Sequence, residues 1–330
     1  MANTGTGAIK IVDRENLNGR IYQAVQGFED HLQYELGSSL SEQWGDLYYA
    51  QTAGGGGEPG KEIFWQLNEW LEPFRLHFTS ISEAAGALRE IQRNWALLPF
   101  ASYRRATLIQ SKLPPVASMS KPRPFPWQLP ETPLGAFSLL DENTLIASAS
   151  CSSPFPAGRI NFAEDREGPP SRAYLKLWEA LTRLRAWPRP GERCLDAGAS
   201  PGGWTWALAR LGAEVTAVDR SPLEERVAVL PRVQYIKHDA FTMKPEDLGP
   251  MDWVFSDVIS YPERLYDWVE KWLASGLCSR FVCTIKWQGD SESLGEYFAV
   301  SRRFAALPGG RVLHLFHNKH ELCWMLPWKL

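Results

Sequence analysis

No stretch of this sequence reaches the 18 or so apolar residues that a membrane-spanning helix needs. The opening MANTGTGAIKIVDRENLNGR likewise lacks an apolar core of the length a secretory leader uses. Cysteine is scarce: five among 330 residues, at positions 151, 194, 278, 283 and 323, odd in number and without CxxC spacing. Neither a disulfide framework nor a zinc finger fits that pattern, so reduced, buried thiols in a cytoplasmic protein are expected. An excess of basic charge is missing too. The net charge is −3, so any nucleic-acid site must be a local patch.

What is present suffices for two or three domains with sizeable cores, since 44% of the residues are hydrophobic. Three zones differ in texture. Residues 1–112 mix strand-like and helix-like patterns, with alternation over Gly19–Val25, helical spacing over Phe28–Leu36 and a four-glycine loop at Gly54–Gly57. Residues 113–170 open with seven prolines between Leu113 and Pro133, which reads as an extended connector. A strand-like segment, Leu134–Ala149, and a further loop, Ser152–Pro170, follow it.

From 171 to 330 the pattern becomes regular. Strands are expected over Arg193–Gly198, Glu214–Asp219, Val233–Lys237, Trp253–Asp257 and Phe281–Lys286. Helices fit Tyr174–Ala186, Trp204–Leu211, Tyr261–Ser275 and Glu292–Ala306. Such alternation predicts an α/β fold with a parallel, doubly wound, Rossmann-like sheet. Two final strands, Arg311–Phe316 and Leu322–Leu326, are separated only by His317-Asn-Lys-His-Glu321, which demands an antiparallel hairpin.

Where the first of these strands turns into a helix stands Asp196-Ala-Gly-Ala-Ser-Pro-Gly-Gly-Trp204. Glycines there let backbone approach a ligand at the carboxyl end of the strands. The GxGxxG of a pyrophosphate cradle is absent, which disfavours a nicotinamide enzyme. S-Adenosylmethionine carries an amino acid and a sulfonium instead, and an acid in the loop suits it. The candidate cofactor residues are Asp196, Gly198, Ser200, Pro201, Gly202, Gly203, Trp204, Asp219, Asp239 and Asp257. Asp219 ends the second strand and is placed for ribose hydroxyls, and Asp239 follows the third and is placed for an adenine amino group. The ordinary alternative for one strand-end aspartate is a helix cap. Three at successive strand ends form a sharper pattern.

A second set accompanies them. Lys286 closes an almost wholly apolar strand, where a lysine is costly unless paired or neutral. Asp257 ends the neighbouring strand, Glu321 opens the last, and Lys176 lies on the helix before the first. These four are the candidate catalytic residues. No metal is called for.

Ser171-Arg-Ala-Tyr-Leu-Lys176-Leu, the Asp196–Trp204 loop, Ser256-Asp257, Ile285-Lys286 and His317-Asn-Lys-His-Glu321 resemble the successive motifs of the FtsJ-like ribose 2′-O-methyltransferases. The resemblance covers about residues 171–330, and the family's Lys–Asp–Lys–Glu tetrad falls on Lys176, Asp257, Lys286 and Glu321. Gly27-Phe-Glu29, Pro170-Ser-Arg and Leu315-Phe-His-Asn-Lys-His-Glu321 are similar to the bacterial branch that methylates a cytidine ribose of 23S rRNA. That resemblance implies S-adenosylmethionine as cofactor and 23S rRNA as partner. It also implies an N-terminal α+β region, ferredoxin-like and THUMP-like, shortened here. A ribose hydroxyl must lose its proton as it attacks. A free lysine titrates near 10.4 and an effective base around 7 to 8, so Lys286 as general base needs a bias of about 4 kcal/mol. Burial, the Lys176 ammonium and a sulfonium push that way, while Asp257 and Glu321 push back and serve to orient the lysines. The alternative is a catalytically silent RNA-binding or ribosome-assembly factor that keeps the fold.

From Gln92 to Pro130 there is no acidic residue, while Arg93, Arg104, Arg105, Lys112, Lys121 and Arg123 are basic and Trp95, Tyr103, Phe125 and Trp127 are interleaved. Arg93, Arg104, Arg105 and Lys112 are the candidate RNA contacts through phosphate pairing and base stacking. Of fifteen tryptophans, those at 178, 253, 268, 272 and 324 fall on apolar faces and read as core, whereas Trp204 and Trp287 are candidates to line the pocket. His314, His317 and His320 lack metal-site spacing and read as strand-end and turn residues.

Overall fold

A computed structural model describes residues 13–51, 62–116, 121–288 and 294–327. The glycines at 54–57, and the start expected at Glu292 for the last helix, lie outside the described residues. By its contacts the chain separates into two units: Met1–Lys121 with Pro130–Arg159, and Pro122–Leu129 with Ile160–Leu330.

The first unit is α+β. Its elements are β1 (Asp13–Asn16), β2 (Gly19–Ala24), α1 (Glu29–Leu36), β3 (Leu40–Trp44), β4 (Leu47–Gln51), β5 (Gln66–Trp70), β6 (Pro73–His77), α2 (Ile81–Ile91), β7 (Trp95–Leu97), α3 (Tyr103–Ser111), β8 (Gly135–Leu139) and β9 (Thr144–Ser148). Four strands form one antiparallel sheet in the order β3-β4-β2-β5. That order is the one a split βαβ arrangement gives, with α1 its only α-helix among the described residues. The other sheet runs β1-β6-β9-β8-β7. Its core joins Phe74, Leu76 and Phe137 to Ala84, Leu88, Ala106 and Ile109 of the two helices α2 and α3.

Two expectations change here. Leu134–Ala149 is two strands, not one: Asp141 Oδ1 accepts from the Asn143 N–H at 2.7 Å and turns the chain between β8 and β9. The hairpin pairs with β6 and β7, so residues 113–170 are no separate piece by contact. Of the proline-rich stretch, Pro122–Leu129 groups with the second unit.

The second unit contains α4 (Tyr174–Leu184), β10 (Arg193–Ala197), α5 (Gly203–Arg210), β11 (Glu214–Asp219), α6 (Glu225–Ala228), β12 (Val233–Lys237), α7 (Pro245–Leu248), β13 (Trp253–Ser256), α8 (Pro262–Ser275), β14 (Phe281–Lys286), α9 (Leu294–Ala305), β15 (Arg311–Leu313) and β16 (Glu321–Leu326). Seven strands lie in the order β12-β11-β10-β13-β14-β16-β15. The first five are parallel, and β16 runs antiparallel to both β14 and β15. The Rossmann-like sheet with one reversed strand is therefore as expected, and the reversed strand sits inside the edge. The strand expected over Arg311–Phe316 stops at Leu313, because Phe316 and His317 give their N–H groups to a side chain instead of a ladder. Helices cover the sheet, so β13, β14 and β16 are buried almost throughout and read as apolar runs. Trp178, Trp253, Trp268, Trp272 and Trp324 are all core.

Strand order reverses direction between β10 and β13. A doubly wound sheet leaves its ligand crevice there, beyond the carboxyl ends of the strands. Asp196 on β10 and Asp257 just after β13 flank that point.

Candidate active site

Three of the four candidate catalytic residues are fixed by strand ends. Asp257 follows β13, Lys286 is the last residue of β14, and Glu321 is the first of β16, directly opposite Lys286 in the antiparallel register. Lys176 comes from the first turn of α4, whose eleven residues are all buried, its charged ones included.

The four side chains close a ring. Lys176 Nζ donates to Asp257 Oδ1 and Oδ2 at 2.9 and 3.1 Å and pairs with Glu321 Oε1 at 2.6 Å. Lys286 Nζ reaches Asp257 Oδ1 and Glu321 Oε2, both at 2.6 Å. Each lysine thus touches both carboxylates, and the two charges of each sign cancel. Burial is the largest influence on Lys176 and lowers its pKa, but Asp257 and Glu321 together outweigh it and raise the value. Burial likewise pushes Asp257 and Glu321 upward, and the two lysines bring both below the usual carboxylate range. A buried ionic ring of this kind contributes little net stability relative to apolar packing. Its presence at a ligand crevice therefore points to chemistry.

Residues that sequence reading passed over hold the ring in place. Thr284, on β14, donates its hydroxyl to Asp257 Oδ1 at 2.7 Å. Tyr297 of α9 donates to the Ile285 carbonyl and accepts from the Leu322 N–H, joining β14 to β16 beside Lys286 and Glu321. Glu179 lies one turn beyond Lys176 and is fully buried. It accepts from the N–H groups of Phe316 and His317 and pairs with Arg183. Spacing on α4 is the only signal in sequence for Glu179, because its partners at 316 and 317 are remote.

The glycine loop is as closely built. Gly198 has φ +84°, and a Cβ there would stand 2.4 Å from Val258 Cγ2. Gly202, with φ +119°, caps α5, and a Cβ on Gly203 would meet Ser171 Oγ at 2.6 Å. Asp219 accepts from the Ser200 and Ser221 N–H groups at 3.0 and 2.8 Å, so it shapes the loop while standing at its edge. Ser200 Oγ donates to the Pro222 carbonyl, and the Pro201 carbonyl accepts from Glu224 N–H. Trp204 is buried and donates to the Ala173 carbonyl at 2.9 Å, with Lys176 Nζ 5.9 Å from its ring centre. Asp239 caps the turn that follows it and pairs with Arg264 at 2.9 Å, the capping role an aspartate ordinarily has at such a place.

Asp196 is the exception in this loop. It is fully buried, and Thr205 donates to its Oδ2 at 2.6 Å. Its Oδ1 is buried with no hydrogen-bond partner among the described residues. Burial, the largest cause, lifts its pKa to about 7, with Thr205 opposing and Asp257 and Asp219 adding to the rise. A buried carboxyl oxygen without a partner is an acceptor that a cationic donor could satisfy.

Around the rim, Trp287 packs on the His320 ring at 4.1 Å, His317 pairs with Glu179, and buried His314 bonds the Lys319 carbonyl. No group of three or more metal-ligating side chains occurs among the described residues. Of the candidate RNA contacts, Arg93, Arg104 and Lys112 are exposed. Arg105 instead spans the Thr79 carbonyl and Asn143 Oδ1, lying over the Phe78 ring. Among the interleaved aromatics Trp95 is core and Phe125 stacks on Trp178 at 4.9 Å, whereas Tyr103 is 64% exposed.

The family model of FtsJ-like methyltransferases matches residues 169–281, a span that takes in Lys176, the glycine loop and Asp257 and stops before Lys286 and Glu321. Relatives named ribosomal RNA large subunit methyltransferase M resemble the chain. That of Azoarcus sp. (strain BH72) is 33% identical over 183 residues, 52% of this chain and 49% of its own. That of Alkalilimnicola ehrlichii is 34% identical over 196 residues, 56% and 52% respectively. The chain thus spans about half the length of the curated relatives it matches. Aeropyrum pernix fibrillarin, solved with natively bound S-adenosyl-L-methionine, is 16% identical over 61% of this chain and 85% of its own. Its TM-score of 0.35 is too loose to add to the fold described above.

Proposed function

We propose that this protein methylates a ribose 2′-hydroxyl of RNA, in the large-subunit rRNA, using S-adenosylmethionine. The observation that carries the reading is the closed Lys176–Asp257–Lys286–Glu321 ring at the carboxyl ends of β13 and β14 and the amino end of β16, beside the orphaned Asp196 oxygen. The relatives' names supply the RNA class, and the site supplies the chemistry.

The residues fit the cofactor. Asp196 Oδ1 offers an unpaired acceptor for its ammonium, and Gly198, Gly202 and Gly203 let the loop pack where a Cβ would collide with Val258, Val227 and Ser171. Ser200, Pro201 and Trp204 complete the loop, with Asp219 and Asp239 at the next strand ends for its ribose and adenine. When bound, S-adenosylmethionine supplies an electrophilic methyl group.

The protein's own task is the proton on the ribose hydroxyl. Two carboxylates hold Lys176 cationic, so it is the fixed charge of the ring. Lys286, opposite Glu321 at the strand end, is the residue placed to take the 2′-hydroxyl proton. Asp257 and Glu321 keep both nitrogens aimed inward, and the dry surroundings strengthen each contact. Mapping ribose methylation across 23S rRNA from cells with and without the gene tests the assignment. One 2′-O-methyl group should vanish with the gene, and an unchanged map would remove rRNA ribose as the substrate.

A further inference from the structure

The segment leaving β13 is anchored on one side and bare on the other. Its root, Asp257, is locked in the ionic ring, and Val258 lies against Gly198 of the glycine loop. Ser260 is buried, and so is Pro262, the first residue of α8. Alternating with them, Ile259 and Tyr261 are 78% and 66% exposed, among the most exposed large apolar side chains of the described residues. Tyr261 has extended dihedrals, φ −62° and ψ 139°. Both residues of this short segment at the carboxyl end of β13 are thus exposed while their neighbours tie the backbone down.

We propose that Ile259 and Tyr261 form a stacking platform for a nucleobase of the substrate strand, at or next to the nucleotide whose ribose is methylated. The proposal rests on the reading of the ring as a ribose methylation site. Position supports it. Tyr261 is four residues from Asp257, so its Cα lies at most ~14 Å from that of Asp257, within reach of a nucleotide whose ribose sits at the ring. Chemistry supports it as well. A nucleotide presented to an enclosed site loses the stacking of its neighbours, and proteins that take single-stranded RNA replace that stacking with aromatic and apolar side chains. A protein partner fits less well. Stable protein interfaces bury on the order of 1,600 Å², and two side chains on one short segment cannot supply a patch of that scale. One ring and one branched aliphatic side chain match a single base.

The test uses the full chain and steady-state methylation of the rRNA segment that wild type modifies. Ile259→Ser with Tyr261→Ala should raise KM for RNA about five- to a hundredfold, the range of base stacking on an aromatic residue. S-Adenosylmethionine affinity and thermal midpoint should stay as in wild type, because both side chains lie outside the core. Tyr261→Phe and Tyr261→Trp should keep the wild-type KM, while Tyr261→Leu, apolar without a π-face, should not. A double variant with wild-type KM and kcat, or full rescue by leucine, overturns the platform while leaving the methylation reading intact. If wild type itself transfers no methyl group to RNA, the reading of the ring fails first and the platform falls with it.

Discussion

Nδ1 of His317 lies 2.8 Å from Oε2 of Glu179, and the same carboxylate accepts the backbone N–H groups of Phe316 and His317. One fully buried acid thereby fastens the helix bearing Lys176 to the turn that leads into Glu321. Arg183, at i+4, balances its charge.

Glu179→Gln should therefore cost about 3–5 kcal/mol, the scale for breaking a buried pair by removing one partner, and methyl transfer should fall with it. Burial pushes the Glu179 carboxyl up, but Arg183, His317 and the Phe316 N–H hold it down at about 2, below its ordinary 4.5. Its stabilising contribution is present above pH 4.5 and is lost as the pH falls toward 2. Chemical denaturation across that window should show wild type losing stability faster on acidification than the variant. Equal slopes would mean that Glu179 carries no such charge in the fold.

Asp196 makes cofactor binding pH-dependent. With its pKa at about 7, the carboxyl is largely protonated below neutrality and cannot then pair with an ammonium. S-Adenosylmethionine affinity should rise with pH up to about 7 and level off above, changing by up to about tenfold per unit on the acid side. Stability of the empty protein moves oppositely. A carboxyl raised from 3.8 to about 7 costs progressively more as the pH rises between those values. Calorimetry from pH 5.5 to 8.5 should show the rise in wild type and not in Asp196→Asn. A flat wild-type profile would remove Asp196 as the partner of the ammonium.

The basic stretch divides by exposure. Arg104→Ala should flatten the salt dependence of RNA binding by about one phosphate contact. Arg105→Ala should alter it less and lower stability instead, since Arg105 is tied to Thr79 and Asn143. RNA binding measured between low and physiological salt checks both, and equal slopes for the two variants would contradict the division.

Much of the second unit was legible because buried parallel strands leave apolar runs with sharp ends. Glu214–Asp219, Val233–Lys237 and Phe281–Lys286 have the bounds their patterns imply. Lys286 stood out as a charge closing such a run, and the short link before Glu321 forced the reversed strand opposite it. What escaped notice depends on partners far along the chain. Glu179 reads as an ordinary helix acid until Phe316 and His317 come against it, and Tyr297 gives no hint that it spans β14 and β16. Arg104 and Arg105 are identical in sequence terms and differ only in what α3 turns toward Phe78. Trp95 and Tyr103 likewise part company only once the core forms, one inside and one outside. The turn at Asp141–Asn143 did carry a polar signal within Leu134–Ala149, but the apolar residues on both sides masked it.

Transfer of a labelled methyl group to rRNA by wild type and Lys286→Met tests Lys286 as the base that takes the proton from a ribose hydroxyl. With wild type, label should appear on a ribose 2′-oxygen. With the variant, transfer should fall by at least about a hundredfold, the scale of general-base catalysis, with S-adenosylmethionine affinity kept within a few-fold and the fold intact by thermal midpoint. Transfer at the wild-type rate by a folded Lys286→Met protein, or label on a base instead of the ribose, would contradict that role.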